Sequence, residues 1–216
     1  MKSAVIVCAG NSTRFSKGMN KVLYPLGGKK VFSYSLEIFK KLNFDLILLV
    51  VKKEEEEFFK DEISENVRIV YGGVRRQDSV LNAIDLIPQN SPVLIHDGAR
   101  PFLTERLVEE VLSKIRPGRC VVPAIKSEDT IRIENNGRYS LFDRNRVFRI
   151  QTPQGCIAGE LSQLYRRFAH LDLSDDAAAF ELANLEVEIV EGDKKNLKIT
   201  TYEDVKVLET MMKIAP

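Results

Sequence analysis

The order in which two periodicities alternate along the chain constrains its fold more than any other feature. Short runs rich in β-branched and aliphatic residues read as strands: Ala4–Cys8, Leu46–Val51, Val67–Tyr71, Val93–His96, Cys120–Ala124 and Val187–Val190. Between them lie stretches with helical spacing. Val31–Leu42 is one, and Asp78–Ile87 is another, with Val80, Leu81, Ile84 and Ile87 on one face. Thr104–Ile115 repeats the pattern through Leu107, Val108, Val111, Leu112 and Ile115, with Thr104 as its N-cap. Thr201-x-x-Asp204 ahead of Val205, Leu208 and Met212 resembles a capping box opening a last helix. Strands alternating with helices predict an α/β fold, a mostly parallel twisted sheet with helices on both faces. Ligands of such sheets bind at the carboxyl ends of the strands.

One segment breaks the alternation. Residues 126–151 hold no long helix, and two short strand-like pieces flank Asn135-Asn136-Gly137, a strong hairpin signal. The hairpin reads either as an arm that reaches a partner subunit or as an edge hairpin folded on its own domain. The chain shows no internal repeat, low-complexity tract or linker, so residues 1–216 are expected to form one domain. The acidic run Glu54–Glu57 reads as a solvated helix face.

Composition removes several classes. A formal charge of +1 over 216 residues argues against a polybasic nucleic-acid binder. The longest strongly apolar core run, Leu46–Val51, is six residues, far short of a bilayer span, so no membrane is expected. Ser3–Ala9 is too short for an export signal, which leaves the cytoplasm as the default. Cys8, Cys120 and Cys156 form no C-x-x-C pair, and His96 and His170 add no zinc-ligand spacing. Buried free thiols are the reading.

The chemistry is therefore sought in the loops after the strands. Cys8-Ala9-Gly10-Asn11-Ser12-Thr13-Arg14-Phe15 follows the first strand, and its small residues let backbone N–H groups approach an anion. Neither G-x-G-x-x-G nor the Walker spacing occurs, so dinucleotide dehydrogenases and P-loop NTPases drop away. Arg14, Lys17 and Lys21 can surround the phosphates of a nucleotide or can simply be solvent-facing cations beyond a plain turn. After the fourth strand, Asp97 in His96-Asp97-Gly98-Ala99-Arg100-Pro101 is well placed for Mg²⁺, and Arg100 offers a planar fork for a phosphate. The same stretch also fits an aspartate capping a turn with a surface arginine, and His96 fits a satisfied half-buried histidine. Gly72-Gly73 permits another close backbone approach, and Ser79 lies just behind it. Lys198, alternating with apolar neighbours in Asn196-Leu197-Lys198-Ile199-Thr200, suggests an ammonium reaching a cleft.

Taken together and in order, these pieces carry a resemblance. The loop with Arg14, then Asn20-Lys21, Gly72-Gly73 with Asp78-Ser79, and the His96–Pro101 motif belong to it. So do Asp129-Thr130, Asp143-Arg144, Thr152-Pro153-Gln154, Ser174-Asp175-Asp176 and Asn196–Thr200. The sequence resembles the 2-C-methyl-D-erythritol 4-phosphate cytidylyltransferases of non-mevalonate isoprenoid synthesis nearly end to end. It departs from the usual pattern at Ser12, where many relatives have glycine, at Asn20, where proline usually precedes the lysine, and at Val74 and Gly98.

The resemblance implies a Rossmann-like nucleotidyltransferase fold and the reaction of CTP with 2-C-methyl-D-erythritol 4-phosphate, releasing pyrophosphate with Mg²⁺ as cofactor. It implies that Arg14 and Lys21 stabilise the transition state, and that Arg144 and Lys198 position the attacking phosphate. It further implies that Cys8, Ala9, Gly10, Asn11, Ser12, Gly73 and Ser79 hold the nucleotide. Asp97, Gly98, Arg100, Thr130 and Thr152 fall to the acceptor substrate, with Asp97 also the metal ligand. A homodimer is implied in which the 126–151 arm crosses to the partner, so that Thr130 and Arg144 complete the partner's site. The nearest rival changes only the acceptor, to ribitol 5-phosphate. A more distant rival is a catalytically silent nucleotide-binding scaffold.

Overall fold

A computed structural model describes residues 1–15 and 18–214; Lys17, grouped above with Arg14 and Lys21, lies outside the described residues. The first half comprises β1 (Ser3–Val7), β2 (Pro25–Leu26), β3 (Lys29–Lys30), α1 (Val31–Lys41), β4 (Leu46–Val51), β5 (Val67–Tyr71) and α2 (Arg76–Ile84). The rest comprises β6 (Pro92–Asp97), α3 (Glu105–Ser113), β7 (Arg119–Lys126), β8 (Ile131–Asn135), β9 (Arg138–Phe142) and β10 (Phe148–Ile150). It closes with β11 (Gln154–Ile157), α4 (Ala158–Arg167), α5 (Ala177–Leu182), β12 (Glu186–Glu191) and α6 (Tyr202–Ile214).

The main sheet runs β10-β7-β11-β6-β1-β4-β5, with β12 also pairing with β7. β1 pairs in parallel with β4 and β6, β4 with β5, and β12 with β7, whereas β10 and β11 run antiparallel to their neighbours. The sheet is thus mostly parallel, as the alternation of strands and helices requires.

Strand periodicity sorts the apolar side chains into two cores. Ala4, Ile6, Ile47, Leu49 and Val51 face one, with Phe32, Phe39, Leu107, Val108 and Val111 from α1 and α3. Val5, Leu48 and Val50 face the other, with Val80, Ala83 and Ile84 of α2 and with Leu161, Tyr165 and Phe180 of α4 and α5. β4 is buried along its whole length because helices cover both sides of it. Thr104 caps α3, its side chain accepting from the Leu107 N–H. Asp204 closes the first turn of α6 by accepting from the Thr200 and Thr201 N–H groups.

The hairpin forms where the Asn-Gly signal lies. Asn136 and Gly137 both have positive φ, 51° and 77°, the requirement of a two-residue type I′ turn, and Asn135 pairs with Arg138. β8 and β9 make a sheet of their own, outside the main one. The helical signal at Glu54–Glu57 was expected to be a solvated helix face; the segment is a 3₁₀ helix over Lys53–Glu62 with Phe59 alone buried. Among the described residues no helix is long and apolar enough to cross a membrane.

Candidate active site

Parallel pairing of β1 with β6 puts Val7 beside Asp97, so the loops that leave these two strands emerge side by side. The loop after β5 joins them. A Cβ on Gly72 would come within 2.5 Å of the Ala9 Cβ, so glycine is what lets the two loops touch. The next residue, Gly73, donates its N–H to Ser79 Oγ at 2.9 Å.

The three loops enclose a cavity of about 280 Å³. Ala9, Gly10, Asn11, Gly73 and Ser79 line it, together with Lys21, Asp97 and Lys198. A second cavity of about 280 Å³ lies alongside, with Arg100, Gln151, Thr152, Gln154 and Asp175 in its walls. Arg76, Asp97 and Lys198 line both, and so form the partition between them.

Asp97 is the electrostatic centre of that partition. Lys198 Nζ is 2.8 Å from its Oδ2, Arg100 Nε 3.8 Å from the same oxygen, and Arg76 Nε 3.4 Å from Oδ1. Burial alone raises a carboxyl pKa, but Arg76, Lys198 and Arg100 overcome it and hold Asp97 far below the usual carboxylate range. Lys21 shows the reverse case. Burial, and then the neighbouring charges of Lys198 and Arg14, pull its ammonium down to about 8. The site is therefore a concentration of positive charge only partly neutralised by protein carboxylates, an arrangement suited to phosphates.

Lys198 is placed by its flanks. Asn196 donates from Nδ2 to the Thr152 carbonyl at 2.9 Å and accepts at its own carbonyl from Arg100 Nη1 at 2.8 Å. The Ile199 N–H donates to the Ala99 carbonyl at 2.9 Å. His96, fully buried rather than half-buried, is satisfied as expected. Its Nε2 lies 3.2 Å from the Arg100 carbonyl and must donate there, so Nδ1 accepts from the Thr152 hydroxyl 3.1 Å away. Burial lowers its pKa to about 4, which keeps the ring neutral.

Not every expected residue lines a cavity. Cys8 is buried in the core against α1, and burial pushes its thiol up, so only its backbone serves the loop. Gly98 packs behind the site. Its N–H donates to the Val7 carbonyl at 3.0 Å, and a Cβ there would come within 2.6 Å of Cys8 Sγ. Ser12 turns its hydroxyl toward Asn20 instead of the cavity. Arg14 is exposed on the loop and acts on Lys21 through its charge. Thr130 and Arg144 lie exposed on the arm, and neither is among the lining residues of either cavity; Arg144 donates to the Glu128 carbonyl at 2.8 Å.

Two partners in the site were missed from sequence. Arg76, at the start of α2, makes a two-pronged pair with Asp176, at 3.0 and 2.8 Å. Asp176 is wholly buried and also accepts from the Tyr165 hydroxyl. The Ser174-Asp175-Asp176 motif was the signal for it, but nothing in the sequence pairs it with an arginine 100 residues away. Asn20 is the second, buried beneath the loop and bonded on every side.

A mostly parallel sheet, a small-residue loop after its first strand and converging cations at the strand ends define an α/β nucleotidyltransferase. The family described as IspD, 2-C-methyl-D-erythritol 4-phosphate cytidylyltransferase, matches residues 3–214, and the chain belongs to that family. It is 34% identical to the 2-C-methyl-D-erythritol 4-phosphate cytidylyltransferase of Clostridioides difficile (strain 630), over 98% of this chain and 94% of the relative. The enzyme of that name from Caldanaerobacter subterraneus subsp. tengcongensis is also 34% identical, over 98% of each chain. The crystal structure of 4-diphosphocytidyl-2C-methyl-D-erythritol synthase from Anaerococcus prevotii superposes with a TM-score of 0.88 at 30% identity, covering 98% of this chain and 96% of that one.

Proposed function

We propose that the protein transfers CMP from CTP to 2-C-methyl-D-erythritol 4-phosphate and releases pyrophosphate. The observation that carries this reading is the shared partition: Arg76, Asp97 and Lys198 face two cavities at once, as joining two polyanions requires. CTP takes the cavity lined by Ala9–Asn11, Gly73 and Ser79, and the polyol phosphate takes the one beside Arg100 and Thr152.

A phosphate monoester has its second pKa at about 6 and arrives largely as the dianion, so the attacking oxygen needs no general base. That oxygen attacks the α-phosphorus in line; the new O–P bond forms as the bond to the bridging β-phosphate oxygen breaks, and the electron pair leaves on pyrophosphate. Catalysis is then positioning plus charge neutralisation. Lys21 and Arg14 neutralise the triphosphate and the departing pyrophosphate. Lys198, already on the partition, holds the attacking phosphate. Thr152 supports Asp97 by accepting its N–H at 3.1 Å.

Mg²⁺ fits this inventory as a companion of the triphosphate. The ion is held by one or two carboxylates with phosphate oxygens, and Asp97 is the carboxylate that lines the nucleotide cavity. No group of three His, Cys, Asp or Glu side chains that could hold a metal occurs among the described residues, so the phosphates would supply most of its ligands. Bound there, Mg²⁺ supplies charge neutralisation at the reacting phosphates.

The acceptor site is completed in a homodimer by Thr130 and Arg144 of the second copy. Exposed Ile133, Tyr139 and Leu141 on the arm support that assembly. The test is pyrophosphate release with CTP and each of several polyol phosphates in parallel. 2-C-methyl-D-erythritol 4-phosphate is expected to turn over fastest, and faster turnover of ribitol 5-phosphate overturns the assignment. Lys21→Ala is expected to lower kcat by roughly 10²–10³, by analogy with loss of an oxyanion donor.

A further inference from the structure

We propose that Asn20 is a positioning residue for Lys21, its carboxamide fixing the phosphate loop, the end of β1 and the turn that carries Lys21 as one rigid unit. The proposal rests on the reading of Lys21 as a transition-state cation.

The carboxamide is saturated. Its Nδ2 donates to the Cys8 carbonyl at 2.8 Å and to Glu55 Oε2 at 2.6 Å. Its Oδ1 accepts from the Ser12 hydroxyl at 3.0 Å and from the Val22 N–H at 3.3 Å. Two donors and two acceptor sites are the whole capacity of an amide, and all are used in a buried position. The link to Lys21 is direct, because Ser12 Oγ also accepts the Lys21 N–H at 3.2 Å. Ser12 sits at φ 50°, in the left-handed region that a residue with a Cβ enters only when held there. Both of its hydroxyl bonds hold it, one to Asn20 and one to Lys21.

Only an amide meets all four of these partners. An aspartate would set a carboxylate against the Glu55 carboxylate and the Cys8 carbonyl, and an alanine would leave Ser12, Cys8 and Glu55 each without that partner. Freed, the turn can carry Lys21 away from the α-phosphate by an ångström, a displacement that costs rate without removing any group that touches substrate.

The test is a double-mutant cycle on the full-length protein, with kcat and KM for CTP measured for Asn20→Ala, Lys21→Ala and the pair. Asn20→Ala is expected to lower kcat roughly tenfold while KM changes by less than about twofold. In the Lys21→Ala background the same substitution is expected to change kcat by less than about twofold, because the group it positions is gone. An equal loss in both backgrounds makes Asn20 a loop scaffold and overturns the proposal. Near-normal turnover of Lys21→Ala overturns the reading of Lys21 itself, and the proposal with it. Ser12→Ala leaves the Cys8 and Glu55 contacts in place and carries the same cycle if Asn20→Ala does not fold; additive losses there overturn the proposal equally.

Discussion

Lys21 is held near its titration point at a pH where surface lysines are fully charged. Burial, Lys198 and Arg14 lower its pKa to about 8, while Asp97 and Asp204 act in the opposite sense. The charged form is the one that neutralises phosphate. With the ammonium protonated below about 8 and neutral above, kcat/KM for CTP should decline as the pH rises through that value, because the free enzyme sets that ratio. A profile flat to pH 9.5 would remove Lys21 from the free enzyme's charge requirement. Gly98 and Cys8 make a second prediction at this scale. Gly98→Ala sets a methyl against the Cys8 sulfur and should destabilise by about 1–3 kcal/mol. Cys8→Ala in the same chain should restore most of that loss in chemical denaturation. Residues like these are half legible. Ser12 and Asn20 read one at a time as departures from the family pattern, and only the fold reveals that they are bonded to each other.

At the scale of elements, all six expected strands form within a residue or two of their expected ends; β1, β4, β6 and β7 are buried along most of their length, whereas β5 and β12 are only partly covered. α4 and α5 were not anticipated. The six residues of α5 are too few for periodicity to show, and α4 follows β11 without a side-chain cap to mark its start. The position of α2 depends on a contact no local pattern encodes. Its first residue, Arg76, reaches Asp176 just ahead of α5, and that pairing binds two helices beside the cavity partition. Asp176→Asn removes the two-pronged counter-charge of the Arg76 guanidinium and leaves it only the longer contact to Asp97. The expected loss is about 3 kcal/mol, read as a lower midpoint in urea with unchanged slope. A midpoint equal to that of the parent would show the pair to be dispensable.

For the whole molecule, the division of the proposed acceptor site between two chains gives the sharpest test. Lys21 stands in the cavity of its own chain, while Arg144 follows β9 of a hairpin whose two strands, β8 and β9, pair only with each other. If the arm serves the opposite subunit, Lys21→Ala and Arg144→Ala proteins, each nearly inactive, should regain activity when mixed and allowed to exchange. One site of each mixed dimer then holds both native residues. Mixtures that stay as inactive as their components, once exchange is shown, would place Arg144 outside the shared site. Sequence order suffices to locate the arm through Asn136-Gly137, but which chain the arm attends is a relation between copies and leaves no mark on one chain's pattern. The sheet itself has one more property of this kind. β6 and β7 do not touch along their edges; the four residues of β11 lie between them, and Gln154 on that strand also accepts from the Asp176 and Ala177 N–H groups. Without those four residues the two parts of the sheet have no seam along which to meet, and Asp176 loses the backbone anchor that Gln154 gives it. One short strand thus keys the two parts of the sheet to each other and, through Gln154, seats the carboxylate that grips Arg76 on the wall between the cavities.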